Sequence, residues 1–171
     1  MTAEPPTPHI PDAPTQELLR LYAQILTELL RRGVVRSRNA PAGDLAELLV
    51  ARAYSGDLAP LSEKSWDVDA GGRKLQVKSR VIDPDNKRTQ TFSPFRSWGF
   101  NACVFVLLNP TTYEVIRALE IDVADVEASS RPTAWVAGSR ITVAQVLAHP
   151  AATDVTDLVR RAYGDLDRRP S

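Results

Sequence analysis

The chain has 171 residues, 43% of them hydrophobic and 25% charged, with a formal net charge of zero. That balance suits one globular core and argues against a protein coated in basic surface. No apolar run approaches the roughly 20 residues a membrane helix needs, and the single cysteine, Cys103, rules out an intramolecular disulfide framework. With only His9 and His149 besides, a structural zinc site has too few ligands. Met1-Thr2-Ala3-Glu4-Pro5-Pro6 lacks a basic-then-apolar signal pattern, so the cytoplasm is the expected compartment.

Residues 1–14 hold five prolines and no apolar period, and read as a disordered tail. Thr15 suits the N-cap of a helix running to about Arg32, where Gly33 stops it. Leu18, Leu19, Tyr22, Ile25, Leu26, Leu29 and Leu30 follow helical spacing, as a core stripe or as a dimer face. A second helix is expected from about Pro41 to Tyr54, with Gly56 as its stop signal. It is apolar nearly all round, through Leu45, Ala46, Leu48, Leu49, Val50 and Ala53. Glu47 stands within that surface. A buried carboxylate needs a partner, either a salt bridge, for example to Arg52 or Lys78, or a metal-directed or catalytic role.

Trp66 to Arg80 reads as strand, tight turn at Gly71-Gly72, and strand. Alternation sends Gln76, Lys78 and Arg80 to one face and Leu75 and Val77 to the other. The turn brings Asp67 or Asp69 alongside Gln76 and Lys78. An acid, an amide oxygen and an ammonium converging on one spot suit a divalent metal and a phosphate. Asp69 lies nearer the turn and is also placed to cap it. Asp57 and Glu63 carry no evident role.

The run Ala102 to Leu108 predicts a central strand buried on both faces, with Cys103 as a small apolar residue within it. Asn109-Pro110-Thr111-Thr112 marks a turn, and Tyr113 to Leu119 a further strand. Helices follow at about Ile121–Ala128, Thr142–Leu147 and Asp154–Tyr163, and Thr142 to Gln145 has the capping-box pattern. Trp135 is expected in the core. Residues 15–164 thus read as one mixed α/β domain, a central mixed β-sheet flanked by helices, with 165–171 as a charged tail.

Arg73, Lys74, Lys78, Arg80, Lys87, Arg88 and Arg96 face only Asp83 and Asp85 between positions 73 and 96. Such an excess reads either as a solvated edge or as a phosphate-backbone track. Arg80 either touches a phosphate or pairs with Asp83. Arg31, Arg32, Arg36 and Arg38 form a second basic cluster. Thr91 to Phe100 mixes aromatic residues with Arg96, as a plug for the end of the sheet or as a stacking surface for unpaired bases.

Gly43-Asp44-Leu45-Ala46-Glu47, then Ser65-Trp66-Asp67, then Gln76-Val77-Lys78 resembles the PD-(D/E)xK, or restriction-endonuclease-like, nuclease superfamily, and its small bacterial members most closely. The resemblance covers residues 43–80 and extends to about 119. It implies a restriction-endonuclease-like core, with Glu47 as the helix acid, Asp67 as the principal metal ligand, Gln76 at the second ligand position and Lys78 as the catalytic lysine. Gln76 stands where the superfamily usually has a carboxylate, and Trp66 stands where a proline often precedes the aspartate.

The leading expectation is a Mg²⁺- or Mn²⁺-dependent endonuclease acting on DNA, in defence, repair or mobile-element biology. Arg80, Lys74, Arg73, Lys87, Arg88 and Arg96 are its candidate nucleic-acid contacts. Two alternatives stand beside it: a nuclease-fold domain that binds nucleic acid without cleaving it, and an interaction module docking through the leucine-rich first helix. A homodimer would suit a duplex substrate, since one active site cuts one strand.

Overall fold

The computed structural model describes residues 9–36, 41–83 and 85–168. The chain divides into two compact units, Met1–Pro41 and Ala42–Ser171, and each is described by itself. No helix among the described residues is long and apolar enough to cross a membrane.

In the first unit a single 3-10 turn, Ile10–Asp12, precedes helix α1, Thr15–Arg31. Thr15 is the first helical residue and Pro14 holds the N-cap position. The helix ends in a Schellman motif: Gly33 N–H donates to Leu30 O at 3.0 Å and Val34 N–H to Leu29 O at 3.0 Å. Gly33 has φ +72°, the left-handed conformation that motif requires. Arg31 and Arg32 both bond Glu28, so half of the second basic cluster shares one carboxylate on its own helix. Arg38 and residues 1–8 lie outside the described residues.

The second unit is built on a six-stranded sheet. Helix α2 spans Ala42–Ala53, followed by strands β1 (Asp57–Leu58), β2 (Val68–Ala70), β3 (Arg73–Val81), β4 (Ala102–Leu108) and β5 (Val115–Asp122). Helix α3 (Val123–Ser129) comes next, then a ribbon of β6 (Arg131–Pro132) and β7 (Ser139–Arg140). The chain closes with α4 (Val143–Leu147), β8 (Thr153–Asp154) and α5 (Thr156–Gly164). The sheet order is β1-β2-β3-β4-β5-β8, and β6-β7 stands apart. Only β3 and β4 run parallel, so the sheet is mixed, as the sequence predicts.

Residues 82–101 form the crossover that this parallel pair demands. Within it Phe92, Phe95 and Phe100 are buried against Cys103, Phe105 and Leu107 of β4. The aromatic stretch is therefore a plug, and it makes a strap across one sheet face. The opposite face is covered by α2 and α5, which contact β3, β5 and each other. All seven residues of β4 are buried, Cys103 among them.

Several boundaries differ from the sequence expectation. Ser55, at φ +50°, is the left-handed residue that ends α2. Gly56 serves another purpose: a Cβ there would sit 2.6 Å from Asp69 O, so glycine permits the approach of β2. Ile121 is buried in β5 rather than opening a helix, because Val123 N–H donates to Asn101 O at 3.0 Å and Asp122 keeps extended backbone. Asp154 likewise precedes α5, its Oδ1 accepting the Thr156 N–H at 2.9 Å. The Thr142–Gln145 capping box forms as expected. The charged tail begins packed, since Arg52 donates to the carbonyls of Asp165 and Leu166 at 3.1 and 3.0 Å. Trp135, expected in the core, is 97% exposed at the end of the ribbon, because the two-residue strands beneath it leave no surface to cover it.

Candidate active site

The hairpin supplies the frame. Gly71 and Gly72 have φ +64° and +93°, which two-residue hairpin loops favour. Val68 pairs with Leu75, Asp69 with Lys74 and Ala70 with Arg73. One residue before β2 the ladder changes character. Asp67 N–H still donates to Leu75 O at 2.8 Å, while its carbonyl accepts from Ala59 N–H at 2.8 Å. The Val77 N–H therefore turns to the side chain: Asp67 Oδ2 accepts it at 2.7 Å. The same oxygen accepts Gln76 Nε2 at 2.6 Å. A carboxylate thus continues the ladder where the β2 main chain has turned away, and two donors fix its position.

Gln76, Lys78 and Arg80 are the register partners of Cys103, Phe105 and Leu107, so all three lie on the strap's face of the sheet. Lys78 Nζ donates to Ser93 Oγ at 3.2 Å and Pro94 O at 3.1 Å, and stands 4.8 Å from the Phe95 ring centre. Burial pushes the Lys78 pKa down, and the nearby Arg80 and Arg96 charges add to this while Asp67 opposes it. Burial also raises the Cys103 thiol well above its ordinary value, which leaves it neutral beneath the site. Between hairpin and strap lies a cleft of about 270 Å³, lined by Lys64, Gln76, Lys78, Ser93, Pro94 and Arg96 among others.

The structure thus brings Asp67, Gln76 and Lys78 together. Glu47 is half-buried on α2, which packs on β2 and β3 from the Leu75 and Val77 side of the sheet. Arg52 and Lys78, the salt-bridge partners expected for it, are engaged with Asp165 and Leu166 and with the strap. Asp69 caps the turn instead of facing the cleft: its Oδ1 accepts Gly72 N–H at 2.6 Å and its Oδ2 pairs with Lys74. The Lys74 bond, followed by the Gly72 bond, holds its carboxyl below the usual range.

The expected nucleic-acid contacts divide. Arg96 is exposed at the cleft, and Lys87 and Arg88 are exposed on a single 3-10 turn, Lys87–Gln90. Arg80 donates to Thr91 O at 2.6 Å rather than pairing with Asp83. Lys74 is held by Asp69 and lies 4.1 Å above the Trp66 ring centre. Arg73 is bound to Glu120 on the opposite face, where Tyr54 donates to the same carboxylate. Burial opposes ionisation of Glu120, yet the Arg73 and Tyr54 bonds hold its pKa low. Arg73 and Lys74 are therefore committed within the fold, and the basic surface is smaller than the sequence suggests. The Tyr54–Glu120–Arg73 group has no signal in local sequence, since its members are brought together only by the sheet.

Among the described residues no three His, Cys, Asp or Glu side chains gather into a metal cluster. The expected donor set held only two carboxylates and an amide, and its chemistry still suits Mg²⁺, which takes hard oxygen ligands and commonly one or two carboxylates. No protein-family model matches this chain, and no curated protein matches it.

Proposed function

We propose that this protein is a metal-dependent nuclease with a restriction-endonuclease-like core, hydrolysing phosphodiester bonds of DNA. The observation that carries this reading is the pinned Asp67 carboxylate, hydrogen-bonded to Gln76, which lines a cleft together with Lys78. Asp67 and the Gln76 carboxamide oxygen would hold Mg²⁺ or Mn²⁺; Glu47, carried by α2 on the other face of the sheet, is left out of this set. The ion would neutralise phosphate charge and lower the pKa of water.

The chain's own groups have separate tasks. Val77 N–H fixes Asp67 before any ligand arrives. Lys78 offers a cation to the phosphate from a half-buried position, where its charge is poorly screened and therefore more effective. Burial has already lowered the cost of deprotonating it. Arg96, exposed at the rim, can take an adjacent phosphate.

The test is plasmid nicking with Mg²⁺ or Mn²⁺, comparing wild type with Asp67→Asn and Lys78→Met. Cleavage by wild type and by neither variant is the expected result. Equal cleavage by both variants would end the site assignment.

A second reading has its own observation. Gln76 turns its NH₂ group, not its oxygen, toward Asp67, so ligation by Gln76 requires the carboxamide to rotate by half a turn. A domain that binds nucleic acid without cutting it would keep the present arrangement. Salt-sensitive DNA binding with no cleavage in either metal would favour that reading.

A further inference from the structure

Beyond the cleft, the β6–β7 ribbon carries chemistry the fold does not use. Arg131 and Arg140 are direct cross-strand partners and both are exposed. Like charges opposite one another destabilise a ribbon, and a two-stranded ribbon is marginal to begin with. Neither arginine has a carboxylate partner among the described residues. Between them in sequence, Trp135 is 97% exposed. A large ring in water contributes nothing to the core.

The ribbon is nevertheless fixed to the cleft wall. Phe95 N–H donates to Ser139 O at 2.8 Å, and Ser139 N–H returns to Phe95 O at 2.9 Å. Gly138, at φ +152°, lets the backbones meet, because a Cβ there would stand 2.5 Å from Phe95 O. Phe95 is flanked by Pro94 and Arg96, which line the cleft together with Lys78. Arg140 is also near enough to Arg80 to act on its charge. Lys78, Arg80, Arg140 and Arg131 thus form a succession of cations from cleft to ribbon, with an aromatic ring at its outer end.

We propose that the β6–β7 ribbon is a binding arm for single-stranded nucleic acid: Arg131 and Arg140 take backbone phosphates, and Trp135 stacks on an unpaired base. This rests on the nucleic-acid reading of the cleft and names its substrate as a strand with unpaired bases. Cations following a backbone beside an exposed aromatic ring are the recurring means of holding single strands. A duplex offers the ring little, because its bases are already stacked on one another. The arm also relieves the Arg131–Arg140 repulsion, since phosphates would lie between the two charges.

Fluorescence anisotropy on the full chain tests this, using a labelled oligothymidylate of about a dozen nucleotides and a duplex of equal length. Trp135→Ala should weaken single-strand binding about five- to hundred-fold, the range expected for one base–aromatic stack. Trp135→Phe should restore most of it, and duplex affinity should change less than about twofold. The ring's exposure means these variants should fold as wild type does. Wild type and Trp135→Ala binding the oligonucleotide equally would overturn the arm while leaving the nuclease reading intact. Polyglutamate binding as tightly as the oligonucleotide, with the same dependence on Trp135, would overturn base stacking. Wild type binding neither single strand nor duplex would instead overturn the reading of the cleft, and the arm with it.

Discussion

Asp67 has a structural role, the proposed function would give it a chemical one, and paired substitutions distinguish them. Its carboxylate accepts Val77 N–H at 2.7 Å and Gln76 Nε2 at 2.6 Å, so it completes the sheet whatever else it does. Asp67→Ala removes both acceptors. A hydrogen bond to a charged group contributes about 1.5–3 kcal/mol, and an orphaned, poorly hydrated donor costs about 1–3 kcal/mol. Water can still reach half-buried Gln76, so the lasting loss falls on Val77 N–H. A destabilisation of about 2–4 kcal/mol is expected. For a chain of this size that lowers Tm by about 4–16 °C.

Asp67→Asn keeps an acceptor oxygen for Val77 N–H and nearly the same volume. With that oxygen at the Oδ2 position, Gln76 Nε2 can still donate to it as in wild type, so the loss should stay within about 1 kcal/mol. Cleavage should nonetheless fall to background, because the charge that would hold a cation is gone. Urea denaturation of both variants, with matched nicking assays, reads the two roles independently. Asp67→Ala as stable as wild type would refute the ladder role. Asp67→Asn cleaving at the wild-type rate would refute the chemical one.

Three further outcomes follow from the same structure. Lys78→Met should abolish cleavage yet cost at most about 1 kcal/mol at neutral pH, because burial already penalises the charged amine; the folded pKa lies below that of the unfolded chain, so wild type should gain stability relative to Lys78→Met as pH rises from that lowered pKa to about 10.5, as equilibrium denaturation across alkaline pH would show. Gly56→Ala should destabilise by about 1–3 kcal/mol, since the new Cβ meets Asp69 O at 2.6 Å and Val68 Cγ1 at 3.0 Å, and thermal melting should show the drop. Thr142→Ala removes the capping box of α4 and should cost about 1 kcal/mol in urea denaturation, while Thr142→Ser should retain most of the stability.

The parts of this fold legible in the sequence are those where local chemistry leaves little choice. Gly71-Gly72 allows the left-handed turn that most other residues resist. Ala102 to Leu108 is too short for a buried helix and too apolar for a surface. Thr142 and Gln145 satisfy each other's backbone whatever lies around them. Asp67, Gln76 and Lys78 met because strand alternation and a two-residue turn fix their relative positions. The illegible parts depend on partners distant in the chain. The strands β1, β6, β7 and β8 have two residues each, too few to show a period. Ile121 has helical neighbours in sequence, but Asn101 draws the next backbone into the sheet. Arg73 looked like a phosphate contact until Glu120, 47 residues away, was placed against it. Trp135 looked like core because its type usually is.

The strap explains why cleft and core cannot be tuned separately. Phe92 and Phe95 pack against β4, while Ser93, Pro94 and Arg96 between and beside them line the cleft. Phe95 itself does both, packing on β4 and lining the cleft. Lys78 and Arg80 hold the strap by donating to Pro94 O and Thr91 O. An ammonium carries three donors, and Ser93 and Pro94 take two of them. A phosphate oxygen can therefore claim the third without releasing the strap. Arginine at position 78 would keep the charge, but its planar fork cannot point donors at two strap oxygens and a phosphate on different sides. Lysine is thus the side chain that can fasten the cleft wall and still hold a donor toward the cleft.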